Sequence, residues 1–424
     1  MPRTFLEGLP EKIVRLKPPI DNYDLYRYIG QEVTKKLACI PKQIFVKVFI
    51  REKYMLKTEY EEQNEKAESD QQLPFVAIAE LPLFPLHKSI ADASILAEIL
   101  MQKYAYHMPF YRQIEQFKQL KVNIPPSTIN DWYNGASQLL EPLYNLIKKE
   151  ILSTNYIQMD ETILPVLEKR KGKKSIKQYL WAIRSPEKKL VFFDYDKGSR
   201  SAASALKILG DYEGYLQCDG YAAYEVVRKE RNGKIELLNC WVHAKRKFLQ
   251  AEDSDVATYV VKQISKLYHI EHEIQKQSLS PDEIVKERAR LAAPVIDHLK
   301  WYITEKYVSI YPNSKLAGAM KYIYALLPNL RTYLKDSKLL LDNNGVEYTI
   351  RNIAIGRKNF MFCGSHKSAK QTAIMFTLIN SCKQHKINIR EWLIDVLNRL
   401  PQLLKDKDDL HILLPQNYEK IIRE

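Results

Sequence analysis

The stretch from 156 to 241 most constrains this chain, because its hydrophobic period there changes from helical spacing to strand-like alternation and then mixes the two. Tyr156–Thr162, Tyr179–Ile183 and Leu190–Tyr195 read as three strands, with the basic turn Lys169–Lys174 between the first two. Ser201–Leu209 then reads as a helix, Tyr215–Asp219 as a strand, Tyr221–Glu230 as a helix and Leu237–Trp241 as a strand. The order β-β-β-α-β-α-β predicts an α/β domain on a mixed five-stranded sheet.

That order is the topology of ribonuclease H-like domains, whose first and fourth strands lie side by side and parallel. Asp160 sits on the first and Asp219 ends the fourth, so the two acids are expected to converge. Phosphodiester chemistry uses such pairs, because two Mg²⁺ ions about 4 Å apart need carboxylate oxygens with open positions beside them. A third acid must come from a later helix. Glu347 is the candidate, at the start of the first helix after a helical insertion and near Asp342. Alternation along the strand puts Glu161, the rival of Asp160, on the opposite face. Asp194 reads as a surface acid or a partner for a basic side chain. For any single acid a solvated or salt-bridged carboxylate is the plainer reading, and it is the pairing at two strand ends that favours metal.

The charge balance agrees. With 65 Lys and Arg against 51 Asp and Glu, the net charge of +14 suits a polyanion, nucleic acid first and a membrane surface second. No run approaches the ~18 apolar residues of a spanning helix, and the first twenty residues lack a continuous apolar signal core. Cys39, Cys218, Cys240, Cys363 and Cys382 are odd in number and scattered, which fits a reducing compartment better than a disulfide framework. A cytoplasmic, nucleoid-associated protein is expected.

Around the strands, residues 1–58 form a small N-terminal module with a strand-like run at Gln43–Ile50, and 59–80 form an acidic linker beginning EYEEQNEKAESDQQ. Residues 81–150 read as helical: Asp92–Tyr106, Tyr111–Leu120, and a third helix after Pro125-Pro126, where Thr128 and Asp131 have capping-box spacing. Three helices of this kind resemble a helix-turn-helix reader, with Lys118, Lys121, Ser127, Thr128 and Asn130 placed to meet phosphate or base edges. An ordinary three-helix subdomain has the same pattern. Residues 151–250 and 336–400 are read as the two parts of the core, 251–335 as the helical insertion, and 401–424 as a tail. Asn343 and Asn344 are candidates to cap the helix bearing Glu347.

The strings MDETILPVL (159–167), LQCDGYAAYE (216–225), NCWVHAKRKF (239–248) and DNNGVEYTIRNIAIGRKNFMFCGS (342–365) resemble, in order and spacing, the signature blocks of insertion-sequence family 66 DDE transposases. KYAYHMPFYRQ (103–113) and STINDWY (127–133) are similar to that family's N-terminal helical segment. The resemblance implies a catalytic triad of Asp160, Asp219 and Glu347 binding Mg²⁺ or Mn²⁺, and terminal DNA held by the helices before residue 145. It also implies a place beside the active site for His243, with contact to the scissile phosphate or burial as a satisfied histidine both open. Lys245, Arg246 and Lys247, and then Arg351, Arg357 and Lys358, flank the proposed ligands and are phosphate-contact candidates.

The chain departs from the family in two places. The family's N-terminal module carries two CxxC-like pairs, whereas residues 19–58 hold only Cys39, and the Cys240/His243 pair has no second pair nearby, so no zinc is expected. Tyr348 stands after the glutamate where the family commonly has arginine, with Arg351 as a substitute contact. The expected function is metal-dependent cleavage of double-stranded DNA at terminal inverted repeats and strand transfer to target DNA. Such a protein would act as a dimer or higher on DNA, with accessory proteins from the same element as possible partners. The rival readings are a structure-selective ribonuclease H-like nuclease that cuts without joining, and a catalytically inactive DNA-binding regulator.

Overall fold

The computed structural model describes residues 43–66, 68–69, 72–167, 175–251 and 254–422. The part of the N-terminal module before residue 43, with Cys39, and the basic turn Lys169–Lys174 lie outside the described residues. The chain divides between Ala79 and Glu80 into two units.

The first unit contains β1 (Lys53–Met55), α1 (Thr58–Glu65) and β2 (Val76–Ile78), with the two short strands antiparallel. The Asn64 side chain closes the connection, donating to the Leu73 carbonyl at 2.8 Å and accepting its N–H at 2.6 Å. Two expectations are corrected here. Gln43–Ile50 is not a strand but exposed chain, since its alternation has no neighbour to pair with among the described residues. The acidic stretch read as a linker begins instead as α1, whose first-turn Glu59 and Glu61 complement the helix dipole.

The second unit opens with α2 (Ala93–Tyr104), α3 (Phe110–Gln119) and α4 (Pro126–Leu152). Then come β3 (Tyr156–Leu167), β4 (Ser175–Ser185), β5 (Leu190–Asp194), α5 (Ala202–Leu209), β6 (Gly214–Cys218), α6 (Ala222–Glu230), β7 (Ile235–Asn239) and α7 (Trp241–Leu249). Four helices follow, α8 (Asp255–Gln275), α9 (Pro281–Leu291), α10 (Ala293–Tyr307) and α11 (Lys315–Arg331), before α12 (Asn344–Phe360), α13 (His366–Gln384), α14 (Ile389–Asp406) and α15 (Pro415–Ile422).

The sheet order is β5-β4-β3-β6-β7. β3, β4 and β5 form an antiparallel meander, while β6 joins β3 and β7 joins β6 in parallel. The pairing Tyr156↔Tyr215 through Gln158↔Gln217 sets the register that brings Asp160 and Asp219 to the same end of the sheet. The free edge of β5 is covered by α13, where Thr377 and Ser381 hydroxyls accept the Phe193 and Val191 N–H groups at 2.9 and 3.2 Å. Side-chain hydroxyls thus complete a ladder that an exposed edge would leave open.

α4 is a helix of 27 residues, and its stripe from Ile129 to Ile151 is buried against α13 and β5. The capping box expected at Thr128 and Asp131 does not form: Pro126 takes the first helical position and Pro125 the cap, with no side-chain cap bond. In the insertion, α8 to α11 share a core of Val260, Ile264, Leu267, Ile296, Leu299, Met320 and Ile323 that continues into Trp241 and Phe248 of α7. Arg288 of α9 is buried inside it, paired with Glu271 and donating to the carbonyls of Tyr333, Asp336 and Leu339. One guanidinium therefore fixes the segment that returns the chain from the insertion to the sheet. Among the described residues no helix is long and apolar enough to cross a membrane.

Candidate active site

The return segment is sewn to the two central strands by buried amides. Gln158 of β3 donates to the Asp342 carbonyl at 3.1 Å, and Gln217 of β6 donates to the Leu340 carbonyl at 2.8 Å. The two glutamines bond each other at 2.7 Å, and the Tyr156 hydroxyl donates to Gln217 at 2.5 Å. Arg184 of β4 donates to Gln158 Oε1 at 2.9 Å. Gly345, in the first turn of α12, lies against this network: a Cβ there would meet the Arg184 Cζ at 2.8 Å and Gln158 Oε1 at 2.9 Å. Buried polar groups stay only if bonded, so this set locks the start of α12 to β3 in one arrangement.

Gln158, two residues before Asp160, and Thr162, two residues after, both meet the α12 side of the sheet, Thr162 through Arg357. Asp160 shares their face by alternation. Its carboxyl is raised from 3.8 to about 8, first by burial, then by the charge of Glu161, with Asp219 and Glu347 adding. Glu161 points the other way, as alternation predicts, and is held by Arg200 at 2.6 Å and the Tyr224 hydroxyl at 3.1 Å. Asp219, just past β6, accepts the Tyr221 N–H at 2.9 Å. Asp194 pairs with Lys148 and Lys370 and accepts from Tyr144, so it serves structure.

Glu347 is half-buried one turn into α12, with Oε1 3.4 Å from His243 Nε2 and Oε2 3.9 Å from an Arg246 nitrogen. α7 thus delivers His243 and Arg246 to the glutamate. Cys240 caps the same helix and is buried, and burial pushes its thiol up to about 12. The expected asparagine cap fails: Asn343 makes no side-chain cap bond, and Asp342 accepts the Asn344 N–H at 3.1 Å instead.

The remaining basic candidates separate. Lys247 lies over the Tyr322 ring at 5.4 Å, and Lys245 donates to Ser265 of α8 at 2.9 Å. Arg357 is engaged with Thr162 and the Ile163 carbonyl of β3. Arg351 and Lys358 are exposed, as is Tyr348. On the α2–α4 side, Lys121, Ser127 and Asn130 are exposed, Thr128 is half-buried and Lys118 pairs with Glu115.

Sequence reasoning missed Tyr322 of α11, whose hydroxyl and Cε2 would lie 2.6 and 2.8 Å from a Cβ at Gly220. The insertion therefore presses directly on the residue after Asp219. The glycine after Asp219 is the local mark of this close approach, though it does not say which residue approaches.

The acids are all oxygen donors and come from three separate elements. Glu347 Oε1 is sealed from solvent and accepts no hydrogen bond. A buried carboxylate oxygen whose one near polar neighbour is His243 Nε2 at 3.4 Å, outside hydrogen-bond geometry, is one that a hard divalent cation would complement. The residues fit such an ion in donor chemistry, but among the described residues no three His, Cys, Asp or Glu side chains stand close enough together to hold a metal ion.

A family model described as Transposase IS66 family matches residues 88–371. The chain is similar to the uncharacterized protein y4jD of Sinorhizobium fredii, 30% identical over 405 residues, covering 92% of this chain and 76% of the relative. It is likewise similar to the uncharacterized y4qI of that organism, 27% identical over 426 residues, covering 96% of this chain and 75% of that relative.

Proposed function

The chain belongs to the Transposase IS66 family, and from that premise we propose that it is a DNA transposase on a ribonuclease H-like sheet, with Asp160, Asp219 and Glu347 holding divalent metal. The observation that supports this reading is the parallel β3/β6 register, which carries Asp160 and Asp219 to the same end of the sheet, with Glu347 in the first turn of α12, the helix whose start is bonded to β3. Mg²⁺ or Mn²⁺, when bound, would lower the pKa of water and stabilise charge on phosphate and leaving oxygens.

The chain's own groups would do the rest. Water would attack the phosphodiester at the element end, breaking its P–O3′ bond to leave a 3′ hydroxyl and a 5′ phosphate; the 3′ hydroxyl would then attack a target phosphate in line, expelling the target strand's own 3′ oxygen, with no covalent enzyme intermediate. Arg246 beside Glu347, with Lys247, Arg351 and Lys358, would hold the phosphates, and His243 would orient Glu347 or meet the scissile phosphate. The exposed first turn of α4, with Ser127 and Asn130, and the preceding Lys118 and Lys121 would contact terminal DNA, as the N-terminal residues of recognition helices do. Two ends must be held together, so a dimer or larger assembly on DNA is part of the proposal.

The test is a labelled duplex carrying candidate element ends, incubated with protein and Mg²⁺ or EDTA, alongside Asp219→Asn. Cleavage and joining that need Mg²⁺ and vanish in the variant support the reading. Cleavage of branched substrates without joining would replace it with a nuclease, and specific binding with no chemistry would leave a regulator.

A further inference from the structure

The insertion carries a second chemical surface, where α8 meets α10. α10 buries Val295, Ile296, Leu299 and Ile303 in the insertion core, and that stripe accounts for its packing. Its other face carries His298, Trp301 and Tyr302, which meet Tyr259 of α8. Tyr259 and Tyr302 lie with centroids 4.1 Å apart at 34°, the Tyr259 hydroxyl is 2.8 Å from His298 Nε2, and His298 and Trp301 are 5.2 Å apart at 37°. Four rings form one continuous run. Trp301 closes it with 56% of its surface exposed. These residues, with Glu305, Lys306 and Ser309, line a cavity of about 520 Å³, within the ~300–1,000 Å³ of ligand clefts.

We propose that this is a stacking site for an unpaired nucleobase of DNA, with Trp301 as the platform. Resting on the DNA-processing reading above, it adds a place for a base that leaves the duplex. The rim argues for nucleic acid. Lys306 reaches over the Tyr302 ring at 6.0 Å. Lys262, one turn after Tyr259 on α8, is exposed and has no ion-pair partner among the described residues. Aromatic faces with flanking cations are how single strands are held without sequence readout. Glu305 would repel a phosphate but accepts from the exocyclic amines of bases. Tyr259 stands six residues before Ser265, the α8 partner of Lys245, which is roughly 9 Å of helix axis. The site is thus displaced along α8 from the contact with α7, whose His243 and Arg246 meet Glu347.

Fluorescence anisotropy of the full chain with an unstructured single strand of mixed adenine and cytosine and with a duplex of equal length tests this. Trp301→Ala should lose about tenfold in single-strand affinity, Trp301→Phe much less, and duplex affinity should be unchanged in both. Equal single-strand affinity for wild type and Trp301→Ala, with duplex binding intact, overturns the stacking site and leaves the transposase reading standing. Binding of neither DNA overturns both. Sedimentation without DNA decides the competing occupant: a dimer that Trp301→Ala dissociates would mean that a second copy covers the rings, and the base site falls.

Discussion

Asp160→Asn should stabilise the metal-free protein as it abolishes catalysis. Raising a carboxyl from 3.8 to about 8, at ~1.4 kcal/mol per tenfold change in proton affinity, sets a ceiling of ~6 kcal/mol on the cost of its charge at high pH. Relaxation and water entry around a half-buried group reduce this to a few kcal/mol. The sign follows from the raised value. Between about pH 4 and pH 8 the folded state binds more protons at Asp160 than the unfolded chain, so wild-type stability falls as pH rises through that window. The amide does not titrate. Chemical denaturation in EDTA at pH 4, 6, 8 and 9 should show wild type and variant alike at pH 4, a gap that widens to pH 8, and little further change at pH 9. Mg²⁺ at saturating concentration should narrow the gap at pH 8 by stabilising only wild type. A variant equal to or less stable than wild type at pH 8 would refute the claim that Asp160 carries an uncompensated charge.

Gly345→Ala should cost catalysis more than fold, because its Cβ would displace Arg184 or Gln158 and shift the start of α12 that carries Glu347. Steady-state cleavage should fall at least tenfold while circular dichroism is unchanged; full activity would show that the lock is dispensable. Arg288→Met should destabilise by ~3–5 kcal/mol, since it strands Glu271 and three carbonyls in the insertion core. Adding Glu271→Leu should recover part of that loss in urea unfolding, and no recovery would mean the carbonyl bonds dominate.

The sheet was legible in the sequence because its strands are apolar segments set off by turns and short helices, and because parallel pairing of β3 with β6 puts Asp160 and Asp219 at one end. Glu161 facing Arg200 and Tyr224 followed from the same period. What escaped was tertiary. The third helix is legible only from its start after Pro125-Pro126, and its continuation through Pro142 to Leu152 is set by the stripe buried against α13 and β5. The Thr128 and Asp131 pair has capping-box spacing, yet the helix already begins at Pro126, so both residues lie inside it and neither can cap it. Gln158 and Gln217 look like ordinary strand polar residues until β3 and β6 are paired and the return segment is laid across them. Tyr322 belongs to the insertion, roughly a hundred positions from Asp219, so no local pattern could join them.

The most direct test of the central claim is calorimetric titration of Mn²⁺ into wild type, Asp160→Asn, Asp219→Asn and Glu347→Gln, each checked for native circular dichroism. The account predicts binding to wild type that is lost or weakened at least tenfold in every one of the three variants. Unchanged Mn²⁺ affinity in Glu347→Gln or Asp160→Asn would contradict a shared metal centre built from these acids.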